Sequence, residues 1–181
     1  MKRFAMLILS AVLSACVSGV SKNDDTADQI VSEKHPTTTT ASYMTEQENE
    51  LKQALAGTSF QVIRSNNILA VILPGKNLFE KEALLTSFSN NALQKIAPIF
   101  SRYHKTRISI IGYTDSGNPA LDRQLSEKQA QAVATVLKKA AKIADVRFWI
   151  EGSSAQTTAS TEEERLKNNH VDIILTPTFI Q

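Results

Sequence analysis

Residues 107–136, RISIIGYTDSGNPALDRQLSEKQAQAVATV, decide how this chain folds. They open on an alternating β-branched run, Ile108, Ile110 and Ile111 around Ser109, which predicts a strand. Gly112-Tyr113-Thr114-Asp115 ends it, and Ser116-Gly117-Asn118-Pro119 has the composition of a turn. A helix is expected next. The Ser126 hydroxyl can cap its first N–H groups, and Gln129 three residues on completes a Ser-x-x-Gln capping box. Ala130, Val133, Val136 and Leu137 then follow at helical spacing and form one apolar face. A strand that ends in a carboxylate and turns into a capped helix places Asp115 at a rim, near a helix N-terminus.

Working outward, Thr45 with Glu48 is a second capping box, opening a short helix with Leu51, Ala54 and Leu55 on one face and Gly57 as its stop. Residues 60–64 and 68–73 are strand-like around the turn Ser65-Asn66-Asn67. Residues 80–85 are expected to be loop or a helical turn. Leu93, Ile96, Ala97 and Phe100 form a helical stripe over residues 89–104, with Pro98 inside it at a cost of about 3 kcal/mol unless the helix kinks. Val146, Phe148 and Ile150 alternate as a strand, and residues 152–160 form a loop. Thr161 with Glu164 caps a short helix, and residues 171–175 form the last strand. Strands alternating with helices predict a two-layer α+β sandwich of βαβαβ type, with a mixed sheet and helices on one face.

The 181 residues, 42% hydrophobic and 21% charged, suffice for one domain plus extensions. The formal charge of +2 comes from Lys2 and Arg3; without residues 1–15, 18 bases face 18 acids. No basic patch interleaved with aromatics is present, which excludes a nucleic-acid-binding class. His35, His104 and His170 are dispersed and no pair has ligand spacing, so no metal site is expected. No nucleophile–base constellation is recognisable, and no enzyme is expected.

The single cysteine, Cys16, directly follows a leader: a basic start at Lys2-Arg3, then an apolar run over residues 4–13 too short to span a bilayer. Leu13-Ser14-Ala15-Cys16 resembles the bacterial lipoprotein signal, which is cleaved before the cysteine. That resemblance implies a diacylglycerol thioether and an N-acyl chain on Cys16. Several acyl chains at roughly 0.8 kcal/mol per buried CH₂ anchor stably where one does not. The same family rules read an Asp after the cysteine as inner-membrane retention, so Val17 points to the outer membrane, with the domain facing the periplasm. Residues 17–44 are polar, aperiodic and carry four threonines after Pro36, the composition of a disordered tether. Fully extended, its roughly thirty residues reach on the order of 90 Å. The expected organisation is signal peptide 1–15, lipidated Cys16 and tether 16–44, and a domain over 45–181 with its core at about 60–176.

The order Ile-x-Ile-x-Gly-Tyr-Thr-Asp, a short Gly-containing loop, then Leu-Ser-x-x-x-Ala-x-x-Val resembles the OmpA-like (OmpA C-terminal, MotB-like) peptidoglycan-binding family. The resemblance runs from about Phe60 to Thr176 and includes Leu73-Pro74, Leu78-Phe79 and Val171-Asp172-Ile173. It implies a groove for the meso-diaminopimelate of a peptidoglycan stem peptide. One end of that ligand carries an ammonium and a carboxylate, so a binder needs an acceptor carboxylate and a cationic donor at fixed separation. Thr114 and Asp115 match the family's Thr-Asp, and Phe79 falls where the family has an apolar residue bordering the groove; core packing is the alternative role for Phe79. Gln129 stands where the family has arginine, and Asp122 where it has asparagine. The family's Asn-Arg-Arg-Val-Glu-Ile is Asn168-Asn169-His170-Val171-Asp172-Ile173 here, which places Asn169 at the site without either arginine.

Two readings follow. In one, Gln129 donates a neutral hydrogen bond, Lys128, Arg123, Arg165 or Lys167 supplies displaced charge, and the domain anchors an envelope structure to peptidoglycan. In the other the groove is vestigial, Asp115 caps its own loop, and the domain is a protein–protein module. A lipoprotein of that second kind resembles the DotK/IcmN type of subunit in type IVB (Dot/Icm-like) secretion cores, which implies secretion-complex partners.

Overall fold

The computed structural model describes residues 39–154 and 159–179. The leader, Cys16 and most of the expected tether lie outside the described residues. The first helix, α1 (Thr40–Ala54), starts within the threonine run: Thr39 is its N-cap and accepts a hydrogen bond from the Ser42 backbone N–H. Residues 40–44 are therefore helix rather than tether. Thr45 is an interior residue whose hydroxyl donates to the Ala41 carbonyl at 2.8 Å, so the expected Thr45–Glu48 box is replaced by a cap six residues earlier.

Strands β1 (Gln61–Ser65) and β2 (Ile68–Pro74) pair antiparallel around Asn66-Asn67, with Asn66 at φ 53°, the left-handed backbone a two-residue hairpin requires. Residues expected as loop instead form a second small hairpin, β3 (Phe79–Lys81) and β4 (Leu84–Leu85), too short to leave a periodic signal. Helix α2 (Ser87–Arg102) is capped by Thr86 and runs through Pro98. Strand β5 (Thr106–Thr114) leads to helix α3 (Pro119–Ala141), then β6 (Phe148–Ser154), helix α4 (Glu162–Asn168) and β7 (His170–Pro177). Val146, expected in the β6 strand, lies in a 3₁₀ turn and is 90% exposed. The Thr161–Glu164 box is present in both directions.

Strand order in the main sheet is β1-β2-β7-β5-β6, with β5 and β6 parallel and the other pairs antiparallel. This is the mixed sheet of the expected α+β sandwich. Alternate residues drive the layering: Leu69, Val71 and Leu73 of β2, Ile108 and Ile110 of β5, and Val171, Ile173 and Leu175 of β7 are buried in one core with Leu93, Ile96 and Phe100 of α2 and Ala130, Val133 and Leu137 of α3. Ile72, Asp172, Ile111 and Glu151 lie side by side in register on the opposite face.

Two glycines set the height of α3 above the sheet. Gly112 and Gly152 are register partners on the parallel pair. A Cβ on Gly112 would stand 2.2 Å from the Ser126 carbonyl oxygen, and one on Gly152 would stand 2.3 Å from the Glu127 nitrogen. Helix α3 thus rests directly on the backbone, which fixes the end of β5 against its first two turns.

A half-buried guanidinium locks the other end. Arg147 donates to the carbonyls of Phe100 (2.7 Å), Tyr103 (3.0 Å) and Thr106 (3.0 Å) and to the Thr106 hydroxyl (3.1 Å). It thereby satisfies carbonyls that the C-terminus of α2 leaves without helical partners.

Candidate functional site

The loop after β5 is clasped from both sides. Thr114 is buried and its hydroxyl donates to the Asp122 carbonyl at 2.7 Å. The Asp122 carboxylate, also buried, accepts from the Ser116 N–H at 2.9 Å. Asn118 caps α3 by accepting from the Leu121 N–H, and Pro119 sits at the helix start, where a missing N–H costs nothing. The capping box expected at Ser126 and Gln129 is therefore absent: Ser126 is an interior, buried residue whose hydroxyl donates to the Arg123 carbonyl at 3.0 Å.

Asp115 emerges from this clasp half-buried. Its N–H donates to the Asn169 side-chain oxygen at 2.8 Å, and its Oδ2 accepts from the Asn168 amide at 2.8 Å and the Ala159 N–H at 3.3 Å. Among the described residues Oδ1 has no hydrogen-bond partner. Asn169 in turn ties down β2, its carbonyl accepting from the Gly75 N–H at 2.8 Å. Gln129 projects from α3 to the β3–β4 hairpin, where its amide donates to the Glu82 carbonyl at 2.8 Å. Gln129 thus pins the hairpin against the helix, and the hairpin brings Phe79 and Lys81 across from Asp115.

These residues enclose one pocket of about 270 Å³. Phe79, Thr114, Asp115, Asp122, Gln129 and Asn169, the six groove residues expected from the sequence, all line it. The four cations expected as substitutes, Lys128, Arg123, Arg165 and Lys167, do not. Lys81 does, together with Glu80 and Glu82, Leu125 and Leu166. Lys81 follows Phe79 on β3 across a register irregularity that breaks strict alternation, and Glu80 between them lines the pocket as well, so no simple sequence period marks it. With Glu80, Glu82, Asp115 and Asp122 against Lys81, the pocket carries a negative field that favours a cationic group. Its apolar lining from Phe79, Leu125 and Leu166 suits an aliphatic stem.

The profile of the OmpA family matches residues 79–171, from the hairpin through the start of β7. The chain belongs to the OmpA family. Within it, the chain is 32% identical over 140 residues to the probable lipoprotein YiaD of Escherichia coli (strain K12), covering 75% of this chain and 64% of that relative. Among solved structures, a putative MotB-like protein from Desulfovibrio vulgaris superposes with TM-score 0.66 at 18% identity, covering 76% of this chain and 93% of that one. The cell wall anchor of the T6SS from Pseudomonas aeruginosa superposes with TM-score 0.61 at 25% identity, covering 72% and 99%. The OmpA-family fold is thus the expected one, and the pocket falls within the matched residues.

Proposed function

We propose that this chain is a lipid-anchored outer-membrane protein whose OmpA-family domain, facing the periplasm, holds peptidoglycan without covalent chemistry. Its ligand is the meso-diaminopimelate end of a stem peptide, and its task is to tie an envelope structure to the cell wall. The observation that carries this reading is Asp115: it lines the pocket and, among the described residues, keeps one carboxylate oxygen without a protein partner. That oxygen takes the ligand's ammonium in a charge-assisted bond of about 1.5–3 kcal/mol. Lys81 and the second N–H of the Gln129 amide take the ligand's carboxylate. Phe79, Leu125 and Leu166 cover its methylene chain. Cys16, carrying diacylglycerol and an N-acyl chain, holds the domain at the membrane. A relative described as a probable lipoprotein and a structural neighbour described as a cell wall anchor support this assignment.

A second reading rests on a different observation. Asp115 Oδ2 and the Gln129 amide are both committed to bonds within the protein, and the far face of the sheet leaves Ile63 and Trp149 exposed. On that reading the domain is a structural subunit of an envelope secretion complex, as in type IVB systems. Sedimentation with purified sacculi separates the two. A wall binder co-sediments and is released by added muropeptide. A protein that stays in the supernatant, yet is recovered in a large membrane complex, is the structural subunit.

A further inference from the structure

Beyond the groove, a second pocket of about 540 Å³ opens on the other side of Asn169. Ile72 and Pro74 of β2 supply apolar lining, and Leu166, Asn169 and His170 line both pockets. The shared wall is rigid, because the Gly75 N–H is bonded to the Asn169 carbonyl and a Cβ on Gly75 would stand 2.5 Å from that oxygen. The charges differ from those of the first pocket. Lys76 and Lys167 stand here against the single carboxylate of Glu163. Lys167 pairs with Glu163 at 3.1 Å, but both side chains are more than two-thirds exposed, so that pair is weak and gives way readily. Lys76 is exposed and makes no ion pair among the described residues.

We infer that this second pocket is a carboxylate subsite, in which Lys76 and Lys167 hold the free α-carboxylate of the glutamate that precedes diaminopimelate in the stem peptide. The inference rests on the peptidoglycan reading of the first pocket and extends it. Two adjoining pockets of opposite charge, sharing one wall, match a ligand that bears an ammonium and, one residue away, a further carboxylate. A stem peptide has that pattern. The second pocket also supplies positive charge that a chain with Gln129 in place of arginine lacks in the first.

Calorimetry on the full chain tests this with two synthetic tripeptides, L-Ala-γ-D-Glu-meso-diaminopimelate and the same peptide amidated at the glutamate α-carboxyl. Wild type is expected to bind the free acid about fivefold more tightly, the scale of two exposed ion pairs. The double variant Lys76→Gln, Lys167→Gln is expected to bind both peptides alike, at the amidated level. Both lysines are exposed, so circular dichroism should be unchanged. Equal binding of the two peptides by wild type overturns the subsite and leaves the first pocket standing. No binding of either peptide overturns both.

Discussion

Replacing Gln129 by arginine is the perturbation for which the structure yields a magnitude most directly. The Gln129 amide now spends one N–H on the Glu82 carbonyl, leaving one neutral donor for a ligand. A guanidinium has five N–H groups, so it can keep the Glu82 contact and still present a fork. A bond to a charged group contributes about 1.5–3 kcal/mol against about 1 for a neutral one, a difference of roughly tenfold in affinity. The new charge enters a pocket lined by Glu80, Glu82, Asp115 and Asp122, so folding stability should hold or rise slightly. Calorimetry with the free-acid tripeptide should show Gln129→Arg binding about tenfold more tightly than wild type. The gain should shrink as salt is raised, because the pocket is open to solvent. A folded variant with unchanged affinity at low salt would refute the placement of the ligand carboxylate beside position 129.

Three further outcomes follow from the scaffold. Gly112→Ala puts a methyl 2.2 Å from the Ser126 carbonyl and should lower the unfolding free energy by about 3 kcal/mol, read from the urea midpoint. Arg147→Ala strips partners from three carbonyls and should cost at least about 3 kcal/mol, with Arg147→Lys recovering only part, since an ammonium lacks the fork. Asp172 sits between Ile72 and Ile111 with Oδ1 buried and, among the described residues, without a hydrogen bond, and burial raises its pKa while His170, 3.8 Å away, partly lowers it. A raised folded-state pKa means that its contribution to stability is fullest below the ordinary carboxylate value of 3.8 and is lost as pH rises through the folded value. Asp172→Val should therefore be about 1–2 kcal/mol more stable than wild type at neutral pH, with the difference narrowing toward acid, as thermal melts across pH will register.

The sequence carried the centre of the fold well and its edges less well. The strand ending in Thr114-Asp115 and the apolar face of α3 were legible because periodicity and turn residues agree there. The start of α3 was not. Asn118-Pro119 has turn composition, but the same pair is also an N-cap followed by a first-turn proline, and Gly117 at φ 85° completes the turn before it. Ser126 has the composition of a cap, but Gly112 admits it against the sheet, a packing fact with no local signature. The six groove residues were found through order and motif. Lys81 was missed because its hairpin has strands of three and two residues, and its place at the pocket depends on long-range contacts: the Gln129–Glu82 bond and the packing of Phe79 and Leu85 on the core. The Arg147 fork was illegible for the same reason, since its partners lie more than 40 residues away.

The most direct measurement is a titration of the ¹⁵N-labelled protein with the free-acid tripeptide, following backbone amide shifts. Saturable shifts concentrated at Lys81, Asp115, Gln129 and Asn169, and lost in Asp115→Ala, are the predicted result. Saturation with shifts confined to the far face of the sheet, at Ala70, Ile111 and Ile174, or persistence of binding in Asp115→Ala, would contradict it.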